Sequence, residues 1–216
     1  MLRLRTLIAK GPMFKLLNCV LLSALTGGSL CAGEFNTVQN IGDMAPTWSE
    51  LPGVDGKTYS LQDFERSEIV VVVFTCNGCP YAIDYEDRIN NLAKKWRSDD
   101  ARVSVVAINS NKTEEDTLPA MSARAAEKQF VFPYLRDDTQ KIAKAYGAGR
   151  TPEFFVLDKQ RRIVYMGSFD DNTREAEVKT KYVEQAIDAT LAGSPVAISE
   201  TPPVGCAIRF QRDRRR

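Results

Sequence analysis

The chain has 216 residues, with 29 basic and 28 acidic side chains, no histidine and a formal net charge of +1. That length suits one globular domain with a sizeable core, together with short processing segments. The even charge balance argues against a basic surface for nucleic acid, so we predict no nucleic-acid partner.

The beginning of the chain predicts a secretory signal peptide over residues 1–32. Four basic residues and no acidic one occur there, and an apolar stretch at 16–25 is followed by small residues. This order is typical of secretory signals, and the stretch is shorter than the roughly 20 apolar residues that span a bilayer. Its removal leaves 25 basic and 28 acidic residues. We therefore expect an exported protein, periplasmic or otherwise extracytoplasmic, without an integral membrane span after processing.

Two details of this signal stay open. Met13 is an alternative start, because the residues after it already have the basic, apolar and small-residue order. Cleavage is expected near Ala32 or Gly33. Cys31 raises a lipid-anchored alternative, but Leu30 before it is larger than the residue that a lipid-attachment signal prefers, so plain cleavage is favoured.

The remaining chain is assigned to one domain, residues 33–200, followed by a C-terminal extension, residues 201–216. The paired Pro-Gly and Asp-Gly turns at 52–56 predict a small hairpin ahead of the core. Ser60, followed three residues later by Asp63, predicts a capped single helical turn.

Strand and helix patterns then alternate along the domain. Residues 69–74 are a continuous β-branched run, which is typical of a central strand covered on both faces. The later elements are predicted helices at 81–96, 117–130, 140–146 and 173–191, and predicted strands at 103–108, 154–157 and 163–166. The last two strands flank a turn and are expected to pair antiparallel. The pattern therefore predicts an α/β fold with a central mixed sheet flanked by helices.

Two cysteines follow directly on the first predicted strand. Cys76 and Cys79 lie three residues apart, where the strand gives way to a helix. Unpaired backbone N–H groups and the helix dipole stabilise a thiolate at such a position, and a second thiol one turn away can capture a mixed disulfide. Pro80 suits the first helical position, so Cys79 is predicted to be the N-cap. On that basis Cys76 is the more exposed, attacking thiol and Cys79 resolves, although the reverse order stays open.

Other uses of this cysteine pair are less well supported. A closed zinc site needs four ligands, and the chain has no histidine and one further cysteine after processing, so we predict no metal and no cofactor. A structural disulfide across so short a loop would restrict the unfolded chain little, so redox chemistry is favoured.

The C-terminal extension carries the third cysteine of the processed chain. Three thiols cannot all pair within one chain, so one is necessarily odd. Gly205 allows an unusual backbone turn, and Cys206 beside it is a candidate third redox thiol that folds back towards the other two. A free, partly buried cysteine is the alternative. The basic tail from Arg209 to Arg216 is interpreted as a solvated end without assigned function.

A second motif lies far from the cysteines in sequence. Thr151-Pro152 is followed by Phe-Phe-Val-Leu-Asp, and Gly-Asp-Met-Ala-Pro at 42–46 precedes the core. Together with Cys-x-x-Cys after a βαβ strand, these motifs resemble the thioredoxin superfamily. The resemblance implies a thioredoxin-like fold with an N-terminal hairpin and a redoxin-type insertion. It also implies that the Thr151-Pro152 bond is cis, packs against the cysteines and helps to hold an extended substrate.

The chain is more specifically similar to the redoxin branch, which is related to alkyl hydroperoxide reductase and thiol-specific antioxidant proteins. The likeness covers about residues 40–210 and is carried by the segments 74–81, 107–111, 132–137, 145–148 and 203–208. Members of this group often have histidine between the cysteines, where this chain has Gly78. Peroxiredoxins carry Pro-x-x-x-Thr-x-x-Cys, and aligning Cys79 with that cysteine places Cys76 at the threonine and Val72 at the proline. Arg150 lies near, but not at, the position of their arginine.

Three acidic residues follow the cysteines on the next predicted helix. Asp84, Glu86 and Asp87 include a candidate proton relay, but a solvated helix face explains them with fewer assumptions.

We therefore predict an enzyme, an extracytoplasmic thiol-disulfide oxidoreductase with Cys76 and Cys79 as its redox pair. Its expected partners are protein disulfides or dithiols and an upstream redox partner. The competing interpretation is a peroxide reductase in which Cys79 attacks the peroxide and Cys76 or Cys206 resolves the sulfenic acid. A copper- or thiol-binding chaperone ranks third, because the usual Cys-x-x-x-Cys spacing and histidine are missing.

Overall fold

A computed structural model describes residues 33–97 and 102–211. The predicted signal peptide and its cleavage site, and the last five residues of the basic tail, lie outside the described residues. The strands are β1 (Leu51–Pro52), β2 (Thr58–Tyr59), β3 (Ile69–Phe74), β4 (Val103–Asn109), β5 (Tyr134–Arg136), β6 (Arg150–Thr151), β7 (Glu153–Leu157), β8 (Ile163–Gly167) and β9 (Cys206–Ala207). The helices are α1 (Pro80–Lys95), α2 (Leu118–Lys128), α3 (Lys141–Tyr146) and α4 (Tyr182–Leu191), with 3-10 turns at Leu61–Phe64, Glu114–Asp116 and Glu175–Glu177.

Five strands form the central sheet, in the order β5-β4-β3-β7-β8. The pairs β3–β4 and β4–β5 are parallel, whereas β3–β7 and β7–β8 are antiparallel. The predicted mixed sheet is therefore confirmed. The predicted hairpin is also present as β1 and β2, and the Asp63 carboxylate accepts the Ser60 N–H at 2.7 Å, as the capping pattern indicated.

The strand β3 is the centre of a three-layered core. All six of its residues are fully buried. Ile69, Val71 and Val73 face a cluster that includes apolar residues of α1 and α4, while alternate residues face a second cluster with Tyr146 of α3 and Trp48. Each such side chain contributes about 1.5–3 kcal/mol when buried, so this layer holds the ends of the strands in place.

The last helix is shorter than the sequence predicts. It begins at Tyr182 instead of residue 173. The preceding segment is held by tertiary hydrogen bonds, because the Arg88 guanidinium donates to the carbonyls of Asn172 and Thr173 and the Asp171 carboxylate accepts the Lys179 N–H. These bonds compete with helix formation over 173–181.

Three short strands were not predicted from the sequence. β5 extends the sheet at its parallel edge, and β6 and β9 pair with each other as a separate two-stranded ladder. In the part of the chain that the structure describes, no helix has the length and apolar character needed to cross a membrane.

Candidate active site

The cysteine motif lies at the junction of β3 and α1. Cys79 is the N-cap of α1 and Pro80 is its first residue, as predicted. The turn before the helix is fixed by two bonds: the Thr75 N–H donates to Ile108 at 3.0 Å, and the Asn77 N–H donates to the Asp116 carboxylate at 2.8 Å. The backbone therefore presents both sulfurs at the end of the central strand.

The two cysteines are almost equally buried. Cys76 is 4% exposed and Cys79 is 2% exposed. The accessible Cys76 thiol that the sequence suggested is therefore not observed, although Cys76 keeps the slightly larger exposed fraction of the two. Both sulfurs are buried because Thr151 contacts each of them and Cys206 packs against the same cluster.

The Thr151-Pro152 segment meets both sulfurs. Its peptide bond is cis, and it connects β6 to β7. The Thr151 hydroxyl lies 3.2 Å from the Cys76 Sγ, and the Cys79 thiol donates to the Thr151 carbonyl at 3.1 Å. Residues that are more than 70 positions apart in the sequence therefore form one contact group.

The third cysteine joins this group. Strand β9 pairs antiparallel with β6, and Cys206 is the partner of Thr151 in the register. Cys206 packs against the cluster of Cys76, Cys79 and Ala82. All three cysteines are free thiols in this structure. The C-terminal extension therefore does fold back and place Cys206 beside the other two cysteines, as the sequence suggested.

The local environment shifts the pKa values of Cys76 and Cys79 in opposite directions. The pKa of Cys79 is lowered mainly because the Cys76 thiol donates to its sulfur, with further donation from the Cys206 thiol and the Ala82 N–H, although burial opposes this. The pKa of Cys76 is raised because its thiol is engaged by Cys79, because it is buried, and because the Asp116 carboxylate is near. The negative charge therefore prefers Cys79, the N-cap of the helix.

One contact opposes ionisation of Cys79. A thiolate has no proton to give, so the 3.1 Å contact with the Thr151 carbonyl favours the protonated form. The pKa of Cys206 is raised, chiefly by burial and also because its thiol donates to Cys79.

A buried carboxylate beside the motif escaped the sequence analysis. Asp116 is 1% exposed, and it accepts hydrogen bonds from the Asn77 N–H, the Asn109 amide at 2.8 Å and the Thr113 hydroxyl at 2.7 Å. It lies in a 3-10 turn shortly after β4. The sequence signal for Asp116 was its position shortly after β4, because the carboxyl ends of neighbouring parallel strands lie at the same edge of a sheet.

The acidic residues of α1 divide into two kinds. Asp84 and Asp87 are exposed, as expected for a solvated helix face. The same expectation is wrong for Glu86, which is 5% exposed and forms an ion pair with Arg124 at 2.7 Å. That pair fastens α1 to α2.

The three cysteines line one open cavity of about 230 Å³. Asp116, Asn111 and Arg209 also contribute to its wall. Arg150, which the sequence placed near the site, turns its guanidinium to the Gly205 carbonyl at 2.8 Å. Among the described residues, no three His, Cys, Asp or Glu side chains are arranged to hold a metal ion.

Known proteins resemble this chain in sequence and in fold. The family model Redoxin matches residues 40–183. The thiol-disulfide oxidoreductase ResA of Bacillus thuringiensis is 26% identical over 162 residues, which covers 70% of this chain and 84% of the relative. A hypothetical protein of Sinorhizobium meliloti has a crystal structure with a TM-score of 0.75 and 33% identity, covering 82% of this chain and 98% of that one.

A more distant likeness concerns the fold alone. A thiol:disulfide interchange protein of the thioredoxin family from Chlorobium tepidum superposes with a TM-score of 0.55 at 18% identity, covering 71% of this chain and 99% of that one. The predicted thioredoxin-like fold is therefore confirmed.

Proposed function

The chain belongs to the redoxin family, within the thioredoxin superfamily, and is a thioredoxin-like oxidoreductase; we propose that it exchanges disulfides outside the cytoplasm through Cys76 and Cys79. The observation that carries the proposal is the meeting of two buried sulfurs with the Thr151 hydroxyl and carbonyl at the N-terminus of α1. The exported location rests on the sequence of residues 1–32.

In the proposed reaction Cys79 attacks first. Its thiolate forms a bond to one sulfur of a substrate disulfide, and the other substrate sulfur leaves as a thiolate. Cys76, after giving up its proton, then attacks the Cys79 Sγ and releases the first substrate sulfur. The substrate is reduced by two electrons, and the Cys76–Cys79 disulfide holds the oxidation.

This order reverses the roles that the sequence favoured. Hydrogen bonds from Cys76 and from the Ala82 N–H lower the pKa of Cys79, whereas the nearby Asp116 carboxylate helps to raise that of Cys76. When Cys76 resolves the mixed disulfide, its proton passes to water in the open cavity that Cys76 lines. Thr151 and Pro152 are proposed to position the substrate chain.

Single substitutions test this proposal. In a Cys206→Ser background, which removes the third thiol, we expect Cys79→Ser to lose insulin-disulfide reduction and Cys76→Ser to accumulate a mixed disulfide with substrate that mass spectrometry detects. Trapping on Cys79→Ser instead would restore Cys76 as the attacking thiol. If both variants reduce insulin as fast as the unchanged protein, the proposal is refuted. Asp87→Asn, on the exposed face of α1, is the control.

A second candidate function rests on the same lowered pKa of Cys79. A thiolate followed by proline at a helix N-terminus can attack hydrogen peroxide, which gives a sulfenic acid and hydroxide. Cys76 would then displace a second hydroxide and form the disulfide. Stopped-flow oxidation tests it, and a rate no faster than that of free cysteine removes peroxide reduction from consideration.

A further inference from the structure

An extended segment of the chain itself lies over the active site. We call residues 205–209 the C-terminal strap. Its Ile208 N–H donates to the Gly149 carbonyl at 2.9 Å, and its Gly205 carbonyl accepts the Arg150 guanidinium at 2.8 Å. The Gln140 amide donates to the Arg209 carbonyl at 3.0 Å. Backbone pairing and carbonyl contacts therefore hold the strap, and these do not depend on most of its side chains.

The strap brings a thiol to the reacting sulfur. Cys206 is paired with Thr151 in the ladder, and its side chain packs against the cluster that contains Cys79. Thr151 also accepts the Cys79 thiol at its carbonyl. The same residue thus aligns the extended chain and contacts the attacking sulfur. The strap therefore lies along β6 as an extended peptide would, with its cysteine packed beside the attacking sulfur.

The residue before that cysteine has little room. A Cβ built on Gly205 would overlap the Thr151 carbonyl oxygen and crowd its carbonyl carbon and the Pro152 nitrogen. These are backbone atoms, so they cannot rotate aside. A chain bound as the strap is bound therefore needs glycine directly before its cysteine, or must shift outward from β6.

Resting on the proposed function, we propose that the strap is a resident pseudo-substrate. It occupies the β6 edge that an extended, cysteine-bearing polypeptide uses, and Cys206 forms a reversible disulfide with Cys79. In that step the Cys206 thiolate attacks the Cys79 Sγ of the Cys76–Cys79 disulfide. The Cys79–Cys206 bond forms, the Cys76–Cys79 bond breaks, and Cys76 leaves as a thiolate that takes a proton from water. One disulfide replaces another, so no further oxidant is needed.

The substrate class follows from this arrangement. The ladder recognises backbone over two residue pairs and one cysteine, so it fits an extended polypeptide better than a small thiol. A polypeptide must first displace the strap, whereas a small disulfide needs only to reach a sulfur in the open cavity. The strap therefore slows protein substrates more than small ones.

Loosening the strap tests the inference. Gly205→Ala puts a methyl group against Thr151 and should dislodge the strap, and Val204→Ala, at a 47% exposed residue just outside it, is the control. Because two or so hydrogen bonds are lost, we expect Gly205→Ala to reduce insulin roughly tenfold faster. Its rate with hydroxyethyl disulfide should change by less than about threefold, and Val204→Ala should match the unchanged protein in both assays.

Disulfide mapping of the unchanged protein tests the inference without the risk that a substitution disturbs folding. After oxidation with one equivalent of hydroxyethyl disulfide, we expect peptides linked through Cys79–Cys206 as well as through Cys76–Cys79. In Cys206→Ser, we expect the Cys76–Cys79 linkage to be the only one of the two that is found.

The outcomes separate the two proposals. If the unchanged protein exchanges with hydroxyethyl disulfide, yet shows no Cys79–Cys206 peptide and no faster insulin reduction in Gly205→Ala, the pseudo-substrate is overturned and the proposed function stands. If the unchanged protein exchanges with neither disulfide, both proposals fail together.

Discussion

Two strand pairings in this protein differ sharply in what holds them. β3 pairs along its length with β4 and β7, and every one of its side chains is buried. The β6–β9 ladder has two residue pairs, and its outer residues Arg150 and Ala207 are exposed. A long, doubly covered ladder opens only when the domain unfolds, whereas a short edge ladder can open locally. We call β3 with its neighbours β4 and β7 the platform and the β6–β9 ladder the cover, and we expect the cover to open before the platform does.

The largest expected effect comes from breaking the platform. Phe155 of β7 is fully buried and contacts Phe74 and Tyr146, with ring centroids 5.8 Å and 5.1 Å away. We expect Phe155→Ala to lower the free energy of unfolding by about 3–5 kcal/mol, because a cavity replaces the ring. Urea denaturation followed by tryptophan fluorescence measures this. Phe35→Ala, at a 44% exposed phenylalanine, should stay within about 0.5 kcal/mol, and equal losses in both variants would contradict the comparison.

A buried carboxylate joins the two regions and should make stability depend on pH. Glu153 opens β7 and accepts the N–H groups of Gly149 and Arg150 at 2.8 Å and 3.0 Å. Burial raises its pKa to about 7, against the ordinary value of 4.5. A folded-state pKa above the unfolded value stabilises the protein fully below pH 4.5, and this contribution is lost as the pH rises through about 7.

Glu153→Gln should remove that dependence. We expect the free energy of unfolding of the unchanged protein to fall between pH 4.5 and 7 by up to about 3 kcal/mol relative to the variant. Urea denaturation at several pH values gives the difference. A difference that stays constant over this range would show that Glu153 does not titrate there.

Asp116 lines the same cavity as the three cysteines. We expect Asp116→Asn to lower the free energy of unfolding by about 1–3 kcal/mol, because the amide cannot accept all three hydrogen bonds. Loss of the negative charge should also lower the pKa of Cys76. Iodoacetamide alkylation against pH, in a background with serine at 79 and 206, measures the second effect. An unchanged alkylation profile would contradict the influence of Asp116, and Asp87→Asn is the control.

The smallest effect is expected at the edge of the cover. Arg150→Ala removes one exposed hydrogen bond to Gly205, which is worth about 0.5–1.5 kcal/mol. Hydrogen exchange should therefore speed up about two- to tenfold at the Ile208 amide and stay unchanged within β3. Equal protection in both proteins would mean that the strap does not open independently of the sheet.

The sequence predicted the platform better than the cover. The β-branched run of β3 and the helical spacing of α1 are long enough to show their periods, and Pro80 marked the start of α1 and its N-cap. Strands β6 and β9 have two residues each, so neither shows a period, and their pairing joins positions more than 50 residues apart. The predicted meeting of Thr151 with the cysteines came from resemblance to a family and not from local pattern.

Burial of charged residues was the other feature that sequence could not supply. Glu86 lies between two exposed acidic residues on α1, and nothing in its spacing distinguishes it from them. Its ion pair with Arg124 depends on how α2 packs. Asp116 likewise acquires its role from donors on three different segments.

The carboxylate of Glu200 links the two ends of the domain. It accepts the N–H groups of Glu34, Phe35 and Asn36 at 2.8–3.0 Å. Its neighbour Thr201 binds the carbonyl of Met166, so the segment leading to Cys206 starts from the same fixed point. Recombinant forms that begin after residue 36, or that place an affinity tag against residue 34, would lose this fastening. Purified material for redox titration should therefore start at or before Gly33.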